Sequence, residues 1–318
     1  MIELSKNFVS FYTVTDNDEN QRLDNFLVRL LKGVPKSHIH RIIRNGEIRI
    51  DKRRATFDCR IQKGQTIRIP PIKMAEKSVS GSTKKIPAVE FPIVYEDDFL
   101  LVIDKPSGVA AHGGSGVSSG VIEQVRAARP NAKYLELVHR LDKDTSGLLM
   151  IAKKRRTVVK LHEQLRQNHP KKIYLALCSP AWAVGEYSVK LPLKKYTGQN
   201  GEKMVRTDKN GQYAHTIFRV KQTFQAASLV EAELKTGRTH QIRVHLQAQN
   251  HPILGDERYG NYEKNKQWAK EYGLKRMFLH AYQLTIKHPE TDKELILQAE
   301  LPKELQNVIH QLEKEYNA

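Results

Sequence analysis

The first periodic stretch of the chain is Leu23, Phe26, Leu27, Leu30 and Leu31, spaced i, i+3, i+4, i+7 and i+8. That spacing lines one side of a helix. Asp18 or Asn20 is placed to cap its start, and Gly33 follows its end. Pro35 opens a second helix with Ile39, Ile42 and Ile43 on one face, and Asn45-Gly46 closes it. Ile48-Arg49-Ile50 and Ile67-Arg68-Ile69 alternate with period two and predict half-buried strands, the second behind a Lys63-Gly64-Gln65 turn. Further along, apolar runs over 99–103, 148–152, 173–178, 215–220, 228–234 and 278–287 predict strands. Residues 117–128, 158–167 and 301–316 read as helices. So do residues from Thr239, as a cap, to Gln249. Between the two regions, Met74 to Ala88 is rich in Ser, Lys, Gly and Pro and has no period. We read residues 17–75 as a small first domain, 76–88 as a flexible tether and 89–318 as a larger domain.

Charge sharpens this division. The 318 residues carry 53 Lys and Arg against 35 Asp and Glu, a net charge of +18. Residues 20–77 alone hold fifteen Lys and Arg against five Asp and Glu. The exposed face predicted for the second helix presents Lys36, His40, Arg41 and Arg44, and the hairpin after it presents Arg53 and Arg54. Base concentrated on one small helix and hairpin suits a polyanion, because neutralising phosphates releases counterions. The two cysteines, Cys59 and Cys178, form no CxxC pair, which fits a cytoplasmic chain without thiol-bound metal. The N-terminus lacks the pattern of a signal peptide. The apolar run 175–184 is broken by Ser179 and Pro180 and is too short to span a bilayer, so no membrane partner is expected.

Two polar clusters interrupt the apolar pattern. His139-Arg140-Leu141-Asp142-Lys143-Asp144-Thr145-Ser146-Gly147 lies between apolar runs and gathers an imidazole, bases, carboxylates and hydroxyls. Thr236-Gly237-Arg238-Thr239-His240-Gln241-Ile242-Arg243-Val244-His245 places Arg243 on a helix, where a guanidinium can pair rigidly with a carboxylate. If the two clusters meet, one Asp is free as nucleophile or as stabiliser of a developing cation, with Arg243 keeping it ionised. The His112-Gly113-Gly114-Ser115-Gly116 loop lacks the lysine of a P-loop and the spacing of a dinucleotide fingerprint. His162-Glu163 does not begin HExxH, since Arg166 stands at the last position. The thirteen histidines are scattered, and no metal is expected. Residue chemistry alone therefore reaches base or sugar chemistry on RNA. A metal-dependent nuclease using Asp142 and Asp144 and a non-catalytic RNA-binding ribosome-assembly factor stay open beside it.

Sequence resemblance goes further. RLDNFL (22–27), VPKSHIHRIIRNGEIRIDKRR (34–54) and IQKGQTIRI (61–69) together resemble an S4 domain, a small RNA-binding module. HRLDKDTSG (139–147), KIYLAL (172–177) and TGRTHQIRVH (236–245) resemble, in the same order, the signature segments of the RluA-type pseudouridine synthases. KPSGVAAHGGSG (105–116), ELVHRLDKDTSGLLMIAKK (136–154) and HEQLR (162–166) look most like the RluC branch, which acts on large-subunit ribosomal RNA. The resemblance implies an α+β chain: an S4 domain followed by a catalytic domain with a mixed, mainly antiparallel sheet flanked by helices. It implies isomerisation of specific uridines to pseudouridine in 23S ribosomal RNA, free or in a large-subunit assembly intermediate, by a monomer that needs no cofactor.

Asp142 matches the catalytic aspartate, and Arg140 the arginine that displaces the target base. Tyr174 matches the tyrosine that stacks on the uracil and serves as a candidate base. Arg243 matches the aspartate's partner, with Arg238 as a phosphate contact and the fallback for that pairing. Asp144 is a decoy that stabilises the turn through its own backbone contacts, and His139 is structural. Whether Asp142 attacks the base, attacks the ribose or assists proton loss stays open.

Overall fold

The computed structural model describes residues 8–31, 33–72, 86–114, 119–198 and 201–316. The expected tether at 76–88 lies outside them up to residue 85, as do Ser115, Gly116 and the start of the helix expected from 117. The chain divides into two compact units, residues 1–85 and 86–318.

The first unit contains β1 (Ser10–Thr13), α1 (Leu23–Leu30), α2 (Lys36–Arg44), β2 (Arg49–Ile50), β3 (Arg53–Arg54) and β4 (Thr66–Ile69), with its sheet in the order β1-β4-β2-β3. The helical stripe is buried: Leu23, Phe26 and Leu27 pack with Ile39, Ile42, Ile43, Ile48 and Ile67 into one core. The expected caps are not used. Arg22 precedes α1 without a side-chain cap. Asp18 turns inward instead and accepts hydrogen bonds from Tyr12 Oη at 2.7 Å, from Thr15 N at 3.1 Å and from Arg29. Asn20 sits in a left-handed turn (φ 60).

The second unit adds, in order, β5 (Ile93–Glu96), β6 (Leu100–Lys105), α3 (Val121–Ala128), β7 (Glu136–Leu137), β8 (Ser146–Ala152) and α4 (Arg155–Arg166). It continues with β9 (Lys171–Cys178), β10 (Glu186–Val189), β11 (Leu193–Thr197), β12 (Lys203–Thr207), β13 (Thr216–Thr223) and β14 (Ser228–Leu234). It ends with α5 (Gln241–Ala248), α6 (Tyr262–Glu271), β15 (Leu279–Lys287), β16 (Glu294–Gln298) and α7 (Lys303–Tyr316). The large sheet runs β10-β13-β14-β9-β15-β8-β6-β5, with β16 on β15 and β7 on β8. Only β8 with β15 pairs in parallel among the described residues, so the sheet is mixed and mainly antiparallel, as the resemblance implied.

One row of this sheet fixes the site. Lys105 on β6, Gly147 on β8, Ala281 on β15, Tyr174 on β9 and Ala232 on β14 lie side by side across five strands. At Gly147 the chain has φ 106, and a Cβ there would stand 2.3 Å from the carbonyl oxygen of Ala281. Only glycine lets β8 approach β15 this closely.

Candidate active site

The His139–Thr145 loop joins β7 to β8. Its Leu141 is buried in the central core with Tyr174, Ile242 and Leu246, which leaves Arg140 and Asp142 free of that core. Asp142 O accepts from Thr145 N at 3.2 Å, which closes the turn.

The loop is held from the β6 side. The Lys105 ammonium is fully buried and donates to the carbonyls of Pro106 (2.8 Å), Val109 (2.8 Å) and Lys143 (3.1 Å). Gly108 N also donates to Lys143 O, and Ser107 Oγ to Asp144 O. Burial and the Arg276 charge pull the Lys105 pKa down to about 7. Three carbonyls take all three N–H groups of an ammonium, however, and a neutral amine has only two, so this cradle favours the charged form. The Asp144 turn therefore draws its support from Lys105, Ser107 and Gly108 rather than from a contact of Asp144's own carboxylate.

The two polar clusters do meet. Arg243, on α5, donates from Nη1 to Asp142 Oδ2 at 3.3 Å. Its Nε and Nη2 donate to Asp256 Oδ2 and Oδ1 at 2.7 and 2.8 Å, a two-pronged pairing. The Arg243 side chain is 5% exposed and that of Asp142 27%. Burial works against the Arg243 charge, but Asp256 and Asp142 outweigh it and raise its pKa, so the guanidinium is a permanent cation. The Tyr259 ring lies 4.9 Å from Arg243 Cζ. Asp256 accepts in turn from Arg258 N and Tyr259 N, which fixes its rotamer.

Tyr174 is buried beside this group. Burial first, and the Asp142 charge second, push its phenol pKa well above the ordinary tyrosine value. Arg140 is exposed, and its Nη1 donates to His112 Nε2 at 3.2 Å. The imidazole of His139 accepts from Met150 N at 3.1 Å, and burial pushes its pKa down to about 4. It is a neutral structural group.

Arg238 is exposed, and its Nε donates to Tyr213 O at 3.0 Å. The Asp142 contact therefore falls to Arg243, and the fallback pairing is not used. Thr239 does not cap α5. His240 occupies that position with φ 54 and no side-chain cap bond, and the buried Gln241 holds the turn. Gln241 Oε1 accepts from Thr236 Oγ1 and Arg238 N, while its Nε2 donates to Thr216 Oγ1 and His215 O.

A cleft of 760 Å³ opens beside the site, and Lys143, Asp144, Arg243, Arg258, Lys275 and Arg276 are among its walls. In the first unit, Lys36, Arg41, Arg44, Arg53 and Arg54 are exposed as expected. His40 is drawn in: its ring stacks on Phe57 at 5.1 Å and its Nε2 lies 3.5 Å from Asp24 Oδ2.

The sequence reading missed Asp256, Lys105, His240, Tyr259 and Gln241. Asp256 and Tyr259 lie outside any polar cluster, in ILGDERYG (253–260). Lys105 lies in segment 105–116 and His240 and Gln241 in segment 236–245, but only their three-dimensional partners reveal what they do.

An aspartate paired with a buried arginine, beside a buried tyrosine on a mixed sheet, is the arrangement that the resemblance to a class of RNA-modifying enzyme implied. The chain belongs to the RluA-type pseudouridine synthases. Residues 99–248 match the RNA pseudouridylate synthase family and residues 21–66 the S4 domain. Over 96% of its length the chain is 44% identical to the ribosomal large subunit pseudouridine synthase C of Haemophilus ducreyi, covering 97% of that protein. It is 46% identical to the protein of the same name from Escherichia coli, again over 96% of this chain and 97% of the relative. Among solved structures, human RNA pseudouridylate synthase domain containing 4 is 28% identical, with a TM-score of 0.57 over 70% of this chain and 93% of that one. Human RNA pseudouridylate synthase domain containing 1 has the same fold at 22% identity, with a TM-score of 0.58 over 75% of this chain and 97% of that one.

Proposed function

We propose that this chain converts specific uridines of large-subunit (23S) ribosomal RNA to pseudouridine, with Asp142 as the catalytic carboxylate. The observation that carries the assignment of Asp142 is its pairing. One oxygen is held by a guanidinium that Asp256 fixes, while the carboxylate keeps 27% of its surface open to a substrate. The substrate is supported by relatives, matched over nearly their full length, that are named for the large ribosomal subunit.

In the reaction the bond from ribose C1′ to uracil N1 breaks, and a bond from C1′ to C5 forms. The C5 proton is lost and N1 gains one, so atoms balance within the nucleotide and protons exchange with solvent. A stacked uridine must first leave its helix, at a cost of about a few kcal/mol. Arg140 is the exposed group beside Asp142 in sequence that fills the vacancy. Tyr174 offers an aromatic face to the flipped uracil. At neutral pH its phenol keeps its proton, so stacking is its first role. Neutralising the Asp142 charge during the reaction would remove only the lesser cause of its raised pKa, since burial, the larger one, stays in place. Arg238, Lys143, Lys275 and Arg276 line the surfaces that take the backbone phosphates, and the exposed S4 residues Lys36, Arg41, Arg44, Arg53 and Arg54 form the second RNA contact.

The test is direct. Unmodified large-subunit ribosomal RNA, free and as an assembly intermediate, is incubated with the protein, labelled with carbodiimide and mapped by primer extension. New stops at defined uridines are expected. Binding without any new stop on either substrate would overturn the proposal in favour of a non-catalytic assembly factor.

A further inference from the structure

Arg243 accounts for one oxygen of the Asp142 carboxylate. The other, Oδ1, faces His240 Nε2 at 3.8 Å. His240 has φ 54 and ψ 19, a left-handed conformation that a side-chain-bearing residue adopts at a cost of about 1 kcal/mol and glycine adopts freely. The position thus carries an imidazole where the backbone favours none.

The hydrogen bonds around this ring assign its proton. Tyr259 Oη accepts from Val205 N at 2.9 Å and lies 2.8 Å from His240 Nδ1. Among the described contacts His240 Nδ1 is the acceptor within reach of the Tyr259 proton, and donating to it satisfies the phenol, which makes Nδ1 an acceptor. A neutral imidazole then bears its hydrogen on Nε2, toward Asp142. Burial holds the His240 pKa below the ordinary histidine value. Asp142 pulls it up, while Arg243 and Arg258 pull it down, so the neutral form is the one present at neutral pH.

The far end of this chain of contacts is distinctive. Val205 and Leu193 are the buried residues of the β11–β12 hairpin among those described, packed with Ala214, Val244 and Tyr259. The outer residues of the hairpin are basic and exposed: Lys194, Lys195, Lys203 and Arg206, the last with its Cζ 5.5 Å from the Tyr196 ring. Such a surface takes a phosphate backbone.

We propose that His240 is a positioning residue that carries a hydrogen-bonded link from the β12 backbone, through Tyr259, to Asp142 Oδ1. RNA seated on the basic hairpin thereby sets the orientation of the carboxylate. At 3.8 Å the last link is longer than a hydrogen bond of about 3 Å, and it closes by a small rotation of Asp142 about the oxygen held by Arg243. The inference rests on Asp142 being the reacting carboxylate.

The experiment measures single-turnover pseudouridine formation and RNA affinity on a large-subunit ribosomal RNA transcript, with the full chain and its variants His240→Ala, His240→Gln, Tyr259→Phe and the double variant H240A/Y259F. The alanine variant should lose about 10- to 100-fold in rate with unchanged affinity and melting temperature. Glutamine, which restores an N–H near the Nε2 position, should recover most of that loss. Tyr259→Phe should fall as far as His240→Ala, and the double variant no further. Full rate in His240→Ala would overturn the link. So would equal losses in the alanine and glutamine variants, multiplying losses in the double variant, or a rate loss matched by lost affinity or melting temperature. An inactive wild-type chain would instead refute the proposed reaction itself.

Discussion

At the scale of single residues the site is a charge ladder: Asp142, Arg243, Asp256. The middle rung is buried and depends on both neighbours. Removing Asp256 leaves a buried guanidinium half-paired, and breaking such a pair costs about 3–5 kcal/mol. Asp256→Ala is therefore expected to lower the melting temperature by several degrees and to reduce pseudouridine formation at least about tenfold, read by thermal unfolding and single-turnover assay. Unchanged melting and rate would show that Arg243 does not need this partner. The resemblance singled out Asp142 and Arg243, because dense motifs surround both. Asp256 was not legible. It stands thirteen residues beyond Arg243 in an ordinary turn, and only folding brings its carboxylate to within 2.7 Å of Nε. His40 was misjudged for a related reason. Helical spacing places it on the basic face, but stacking on Phe57 and the pull of Asp24 draw it in.

At the scale of elements, apolar alternation revealed the central strands and failed on the edges. β11 and β12 are mostly exposed, so they lack the apolar run that marks the central strands and draw no strand prediction from the sequence. Their pairing comes from backbone register and from Leu193 and Val205 beneath. The parallel join of β8 and β15 was equally hidden, since Gly147 looks like a turn residue until Ala281 lies against it. The same join buries His280, whose Nδ1 accepts from Ser146 Oγ at 2.8 Å and whose Nε2 donates to Ala299 O at 2.9 Å.

Burial lowers the His280 pKa from 6.5 to about 4. Between those values the unfolded chain binds a proton that the folded chain refuses. Stability is thus intact above pH 6.5 and is lost as pH falls toward 4, by up to about 3 kcal/mol. The melting temperature should drop across that window, and His280→Gln, which does not titrate, should lessen the drop and leave the share that His139 contributes. An equally steep profile in that variant would contradict the assignment.

At the scale of the whole molecule, the proposed function divides the recognition of RNA between the two units. The charge surplus was legible from composition alone, and so was its concentration before residue 78. Composition does not show which cations stay free: Arg22 and Arg29 are spent on Asp24 and Asp18, whereas Lys36, Arg41 and Arg44 face solvent. Replacing those three with Gln should weaken binding to ribosomal RNA. It should also reduce the slope of log affinity against log salt by about 2, at about 0.7 per phosphate contact. An unchanged slope would remove this helix from the interface.

In the proposed reaction one carboxylate of the His139–Gly147 segment does the chemistry. Single-turnover pseudouridine formation with Asp142→Ala and Asp144→Ala, alongside RNA binding by each, tests it most directly. Asp142→Ala should lose at least about 10³-fold in rate while its affinity stays within about threefold, and Asp144→Ala should keep most of its rate. Near-normal turnover by Asp142→Ala would contradict the account.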